Sequence, residues 1–504
     1  MSERETVTIR KLSTGVPGLD EVLGGGLSEY SFNIIAGDPG AGKTTLANQI
    51  MFANTGEGRR GLYFTLLGEP AIKLLRYQQL MRFFDFRKVG DTITFVNLGH
   101  EIFAGGLSAV LDSIVREVER LRPAIVVVDS FRPSVRGVVG SGPADLPGFV
   151  QRLALHLAGW QATTFLVGEY RESDLPDDPV FSVADNILWL SQPVERNSSV
   201  RKLRVVKVRG QARIPGLHSY RISEEGIRVF PRLSVRPAHL EPREWPLRRL
   251  STGVPGLDEM MGGGVPAGDT VLIGGPGGSG KTVVAAQFAF EGARRGEPGV
   301  IAIFEEQHRE YVEWARTLGV DLDRLIERGL LAFVYLRPLD VSIAETLLEI
   351  EEAVVRLKAK RVVIDSLSNL DQALAPSFRE DFHESPYRVV RALTGGGVTV
   401  LMTLASAEFF TDAHLRPHAL SFLIDDIVLQ RYVELEGERR RALEVVKMRA
   451  STHSKELREY EITARGVVIG ARVAGRHDIG AGVPHRVPPA GPPQADPSTP
   501  DRGI

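Results

Sequence analysis

Gly37-Asp38-Pro39-Gly40-Ala41-Gly42-Lys43-Thr44 and, 238 residues further on, Gly275-Pro276-Gly277-Gly278-Ser279-Gly280-Lys281-Thr282 decide how this chain is read. Both stretches follow one pattern: a glycine, four residues, then glycine, lysine and threonine. Glycines let successive backbone N–H groups curl around an anion. The helix-forming runs that follow, through Thr45 and Val283, point their positive ends at the same place. The lysine then reaches the outer phosphates of a nucleotide, and the threonine hydroxyl serves a Mg²⁺ ion. Residues 37–45 and 275–283 are therefore expected to bind ATP, with Lys43 and Lys281 on the β- and γ-phosphates. An apolar strand precedes each loop, which is the context the pattern needs. An accidental glycine-rich turn would not recur in register.

The register extends beyond the loops. Residues 13–21 and 251–259 both read S-T-G-V-P-G-L-D-E, and a triple glycine follows each, at Gly24 to Gly26 and Gly262 to Gly264. A length of 504 residues is already too great for one ordinary core. The chain is thus expected to be a duplicated domain, with units at 1–235 and 247–470. A linker at 236–246 lies in the proline-rich stretch 231–246, where missing backbone donors favour extended chain. Residues 471–504, rich in Pro, Gly and Ala, are expected to be a disordered tail. Within each unit, short apolar runs (Ser31 to Ala36, Gly61 to Leu66, Ala124 to Val128, Thr163 to Gly168; Val300 to Phe304, Arg361 to Ile364, Thr399 to Leu404) alternate with amphipathic stretches such as Leu107 to Leu121. That pattern gives an α/β fold: two tandem P-loop domains with mostly parallel central sheets covered on both faces. Leu203 to Arg209 and Ala442 to Arg449 alternate instead, like edge or hairpin strands.

Composition narrows the function classes. The apolar fraction is 43% and the charged fraction 25%, the values of a folded soluble chain. Without cysteine there is no disulfide, thiolate metal site or cysteine nucleophile. No secretory pattern opens the chain and no apolar run has membrane-spanning length, so a cytoplasmic protein without a membrane partner is expected. A net charge of −2 gives no push towards nucleic acid. The alternative, an ATPase acting on single-stranded DNA, would need basic and aromatic loops. Phe131, Arg132 and Arg136 after Asp129 suit it, whereas Asn369 and Asp371 after Asp365 do not.

A Mg²⁺ site also needs a carboxylate on a neighbouring strand end. V-V-V-D-S supplies Asp129 and V-V-I-D-S supplies Asp365. Hydrolysis further needs a group that orients or deprotonates water. In the second unit Glu305 and Glu306 end an apolar strand and suit that task. The aligned residues of the first unit are Leu67 and Gly68, with a single carboxylate, Glu69, one residue later. Either Glu69 takes the role or the first unit binds ATP and hydrolyses it slowly.

These residues resemble the KaiC family of RecA-like ATPases over nearly the whole chain. The two P-loops, V-V-D-S and V-I-D-S, Glu305–Glu306, V-K-V-R-G at 206–210 and V-K-M-R-A-S-T-H at 446–453 carry the likeness. The resemblance implies a homo-hexameric double ring with ATP between neighbouring subunits. It implies that Lys207, Arg209, Lys447 and Arg449 reach the adjacent protomer's nucleotide. It also places Ser421 where clock-type members carry a phosphorylated serine, with Phe422 in place of the neighbouring threonine. Single-site serine autokinase activity, with Glu305 or Glu306 as base, follows as an expectation. The function implied is a slow ring ATPase that switches conformation for a signalling protein.

Overall fold

The structure is a computed structural model; it describes residues 10–66, 71–130, 146–176, 180–195, 198–232, 248–304, 308–336, 343–367, 393–394, 397–405, 424–435, 437–449 and 451–473. The chain divides into two compact units, Met1–Ser234 and Val235–Ile504. The expected linker at 236–246 lies outside the described residues, as does the tail from residue 474 onward.

In the first unit, nine strands form one sheet: β1 (Phe32–Gly37), β2 (Gly61–Thr65), β3 (Ile93–Asn97), β4 (Ile125–Asp129), β5 (Thr163–Glu169), β6 (Asn186–Ser191), β7 (Lys202–Val208), β8 (Leu217–Ser223) and β9 (Gly226–Phe230). Their order across the sheet is β3-β2-β4-β5-β1-β6-β7-β8-β9. The first six are parallel and the last three continue the sheet antiparallel. The second unit repeats this with β10 (Thr270–Gly275), β11 (Gly299–Phe304), β12 (Leu331–Leu336), β13 (Arg361–Asp365), β14 (Thr399–Ala405), β15 (Asp426–Leu435), β16 (Glu438–Lys447), β17 (Arg458–Thr463) and β18 (Gly466–Arg472). The order β12-β11-β13-β14-β10-β15-β16-β17-β18 is the same. The chain is therefore a pair of tandem RecA-like folds.

The continuous apolar strands follow from covering both faces. Neighbouring residues of β1 enter different cores: Ile34 packs with Phe64, Val126 and Val128, while Ile35 packs with Tyr63, Val127 and Phe165. Helix α1 (Lys43–Asn54) covers the second face with Leu46 and Ile50. Helices α2 (Gly99–Leu121) and α3 (Leu146–Gly159) cover the first with Ile114, Phe149 and Leu153. The backbone at Gly106 leaves helical geometry (φ 62°), so the regular helix expected from Leu107 is the second arm of a longer, interrupted one.

Leu203 to Arg209 and Ala442 to Arg449 lie on hairpin strands and not on edge strands: β7 pairs antiparallel with β6 and β8, and β16 with β15 and β17. The outer strands β8, β9, β17 and β18 complete these antiparallel extensions; in β17, Tyr460 and Ile462 alternate with Glu459, Glu461 and Thr463. The boundary expected after residue 470 falls inside a strand, since Ala471 and Arg472 complete β18.

The repeated S-T-G-V-P-G-L-D stretch is a structural clasp. Asp20 accepts from Ser13 Oγ (2.6 Å), Thr14 N (2.8 Å) and Thr14 Oγ1 (2.6 Å). Asp258 accepts from Ser251 Oγ (2.6 Å), Thr252 N (2.7 Å) and Thr252 Oγ1 (2.5 Å). Each carboxylate closes the turn that leads into its unit.

Candidate nucleotide-binding sites

Each loop leaves the C-terminal end of the strand at the centre of its sheet, β1 or β10, where open α/β sheets bind ligands. Helix α1 starts at Lys43, and α4 (Lys281–Arg294) starts at Lys281. Gly42 and Gly280 have φ of 92° and 97°. A Cβ on either would also press on an isoleucine, Ile222 at 2.5 Å or Ile462 at 2.6 Å. Only glycine meets both conditions.

The lysines fold over their loops. Lys43 Nζ donates to Gly37 O (3.1 Å) and Asp38 O (2.6 Å); Lys281 Nζ donates to Gly275 O (2.9 Å) and Pro276 O (2.8 Å). Burial lowers both lysine pKa values. The charges of Glu169, Asp129 and Asp38 oppose this at Lys43, and Asp365 opposes it at Lys281. An anion arriving at the loop thus meets a poorly hydrated ammonium already held at its mouth.

The two aspartates end β4 and β13 and are buried. Asp129 Oδ2 accepts from Thr44 Oγ1 (2.7 Å) and from the Tyr63 hydroxyl (2.5 Å). Burial pushes this carboxyl up, and the Tyr63 and Thr44 hydroxyls and Lys43 pull it down. Asp365 Oδ2 accepts from the Tyr311 hydroxyl (3.1 Å), and its Oδ1 accepts from the Thr403 hydroxyl. The peptide bond after each aspartate is cis. The donor set fits Mg²⁺. In the first unit a threonine hydroxyl and a carboxylate meet at a helix N-terminus, and in the second Thr282 and Asp365 occupy the corresponding helix and strand positions. Mg²⁺ typically takes one or two protein oxygens together with substrate phosphates. Among the described residues no cluster of three or more His, Cys, Asp or Glu could hold a metal.

Three features escaped the sequence reading. Tyr220 and Tyr460 pin the backs of the loops, Tyr220 to Ala41 O and Tyr460 to Ser279 O (2.5 Å). Tyr63 and Tyr311 hold the aspartates. Glu169 ends β5 in register with Gly37, so the first unit carries a carboxylate where the second has Ala405 opposite Gly275. A tyrosine in an apolar run carries no local signal for such long-range contacts.

Lys207, Arg209, Lys447 and Arg449 are not at their own unit's loop. Lys207 Nζ donates to Ser182 O (3.0 Å), and Arg209 pairs with Asp185 (3.5 Å) with 77% of its side chain exposed. Lys447 Nζ donates to Ile424 O (2.6 Å), and Arg449 pairs with Asp425 (3.2 Å) with 60% exposed. Val208 pairs with Asn186, which pairs with Asn33 near the start of β1. The cations therefore lie towards the opposite end of the sheet, about 13 Å of strand from Gly37. Glu69, Glu305, Glu306 and Ser421 lie outside the described residues, as do Phe131, Arg132, Arg136, Asn369 and Asp371. Among the described residues no helix is long and apolar enough to cross a membrane.

A family model described as "ATPase: KaiC" matches residues 12–234 and again residues 250–474. Curated relatives include the circadian clock oscillator protein KaiC of Rippkaea orientalis, 28% identical across 96% of this chain and 94% of its own. The circadian clock protein KaiC3 of Synechocystis sp. is 29% identical across 96% of both chains. The KaiC oscillator protein of Thermostichus vulcanus is 28% identical across 96% of this chain and 94% of its own.

Proposed function

The chain belongs to the KaiC family of ATPases, and from that premise we propose that it binds Mg-ATP at both loops and hydrolyses it chiefly in the second unit. The observation that carries the proposal is the grouping, in each unit, of loop lysine, helix-start threonine and strand-end aspartate. The Thr44–Asp129 contact is its direct expression. Thr44 with Asp129, and Thr282 with Asp365, would hold Mg²⁺, whose chemistry there would be neutralisation of phosphate charge. The chain's own part is positioning. Backbone N–H groups of residues 37–45 or 275–283 hold the phosphates, and Lys43 or Lys281 turns from loop carbonyls to the terminal phosphate. Glu305 and Glu306 orient or deprotonate the nucleophile in the second unit. The first unit has Leu67 and Gly68 there and is a slow site, with Glu69 as the nearest substitute in sequence.

We further propose a homo-hexameric ring with ATP between subunits. The placement of Lys207, Arg209, Lys447 and Arg449 supports it, since cations far from their own loop are suited to a neighbour's. A cation supplied in this way stabilises charge on the transferred phosphoryl group. Ser421 is the proposed acceptor of a single autophosphorylation, and the cycle serves as a cytoplasmic switch for a signalling protein. Lys281→Ala is expected to abolish most phosphate release and Lys43→Ala to spare it; the reverse result overturns the assignment of units. Mass spectrometry after incubation with Mg-ATP should find phosphate on Ser421 and none in Ser421→Ala; an unmodified wild-type chain refutes the autokinase. Light scattering at saturating ATP should report an oligomer, and a monomer refutes the ring.

A further inference from the structure

In both units a fully buried tyrosine hydroxyl donates to Oδ2 of the strand-end aspartate, yet the tyrosine comes from different elements. Tyr63 lies within β2, and its register partner there is Val127, two residues before Asp129. The corresponding residue of β11 is Ile301, which has no hydroxyl. The second unit takes its donor from Tyr311, on helix α5 (His308–Thr317). Duplication alone would have kept the same position. That the same bond is made from two positions singles out the bond itself as the common feature.

We propose that Tyr63 and Tyr311 are positioning residues that orient Asp129 and Asp365 towards Mg²⁺, an inference that rests on the Mg-ATP reading above. A carboxylate at the end of a strand can rotate about its terminal torsion. A hydroxyl fixed on one oxygen restrains that rotation. Tyr63 and Tyr311 have no exposed surface, so each phenol is held by the core and acts as a rigid donor. In the second unit Thr403 holds the other oxygen, so Asp365 is fixed at both ends, whereas Val167 stands at that place in the first. Asp129 has a second donor too, Thr44, but on the same oxygen and from the side chain proposed to turn to Mg²⁺, so its orientation would then depend more on its tyrosine than that of Asp365 does. Outer donors of this kind typically change metal affinity ten- to a hundredfold when removed.

The test is a Mg²⁺ titration of fluorescent-ATP (MANT-ATP) binding in full-length protein. Tyr63→Phe is made with Lys281→Ala, and Tyr311→Phe with Lys43→Ala, so that one loop is read at a time. The expected result is a rise in half-saturating Mg²⁺ of about ten- to a hundredfold for Tyr63→Phe, and a smaller rise for Tyr311→Phe. MANT-ATP binding in EDTA should equal that of the parent. An unchanged Mg²⁺ midpoint overturns the proposal. Equal loss of binding with and without Mg²⁺ also overturns it, because a merely structural tyrosine would act that way. If the parents themselves show no Mg²⁺-dependent binding, it is the Mg-ATP reading that fails.

Discussion

Replacing Asp426 with asparagine should stabilise the second unit at pH 8 and do so by clearly less, roughly a third as much, at pH 5. Asp426 opens β15 without exposed surface, and neither of its carboxylate oxygens has a hydrogen-bond partner among the described residues. Burial, then the charges of Asp269 and Asp425, push its pKa up to about 7, against weaker opposition from the Arg449 backbone N–H and Arg249. An unfolded aspartate titrates near 3.9. Between the two values the unfolded chain has released a proton that the folded chain still holds. Stability therefore falls as pH rises from about 4 to about 7 and is level above. About three pKa units correspond to roughly 4 kcal/mol, which sets the ceiling of the gain. The first unit shows the substitution in place. Asn186 pairs with Asn33 as Asp426 pairs with Val271, and its Nδ2 donates to Asn33 Oδ1 (2.7 Å). The assay is hydrogen exchange of peptides from β15 at pH 5 and pH 8, corrected for intrinsic rates. A gain of about 2 kcal/mol at pH 8 would slow exchange roughly thirtyfold. An equal effect at both pH values, or a loss at pH 8, refutes the reasoning.

Glu297→Ala should destabilise the second unit by about 3–5 kcal/mol, measured by urea unfolding, because it strands a buried guanidinium. Arg361, 1% exposed, donates to Glu297 Oε2 through Nε (3.0 Å) and Nη2 (2.6 Å); Glu297→Gln should cost less. His218 is buried, accepts from Arg232 N at Nδ1 (2.7 Å) and is bonded through Nε2 to Ile214 O (3.1 Å). Burial lowers its pKa, so stability of the first unit should fall as pH drops below about 6.5, and His218→Gln should flatten that slope in urea titrations. Tyr460→Phe should weaken ADP binding at the second loop roughly three- to tenfold in calorimetry, one hydrogen bond's worth of preorganisation; unchanged affinity would show that the pin is idle.

The parts written contiguously in the chain were legible before any coordinates. A glycine-rich turn from strand to helix is a single run of backbone, so the one at Gly37 to Thr44 announces itself, and Asp129 and Asp365 are marked by the apolar strands they end. Parallel strands buried on both faces were equally plain. Contacts closed by the fold were not. Tyr63 meets Asp129 across 66 residues and Tyr311 meets Asp365 across 54, with nothing in either local run to signal it. The Arg361–Glu297 pair was hidden for another reason. Arg361 begins a strand whose next three residues, Val362 to Ile364, are apolar, and its counterpart beside Gly61 is Ile125. The clasp aspartates were noticed only as repetition, since the spacing of Ser13 and Asp20 shows recurrence and not what the recurrence is for.

The tyrosine pins give each unit a mechanical linkage. Tyr220 sits on β8, the immediate neighbour of the strand that bears Lys207. Tyr460 stands in the same relation to β16, which ends in Lys447. A ligand that tightened the floor of its loop would pull on that hairpin, and the hairpin carries the basic residues offered to the outside. In each unit this phenol ties the sheet's antiparallel half to the loop.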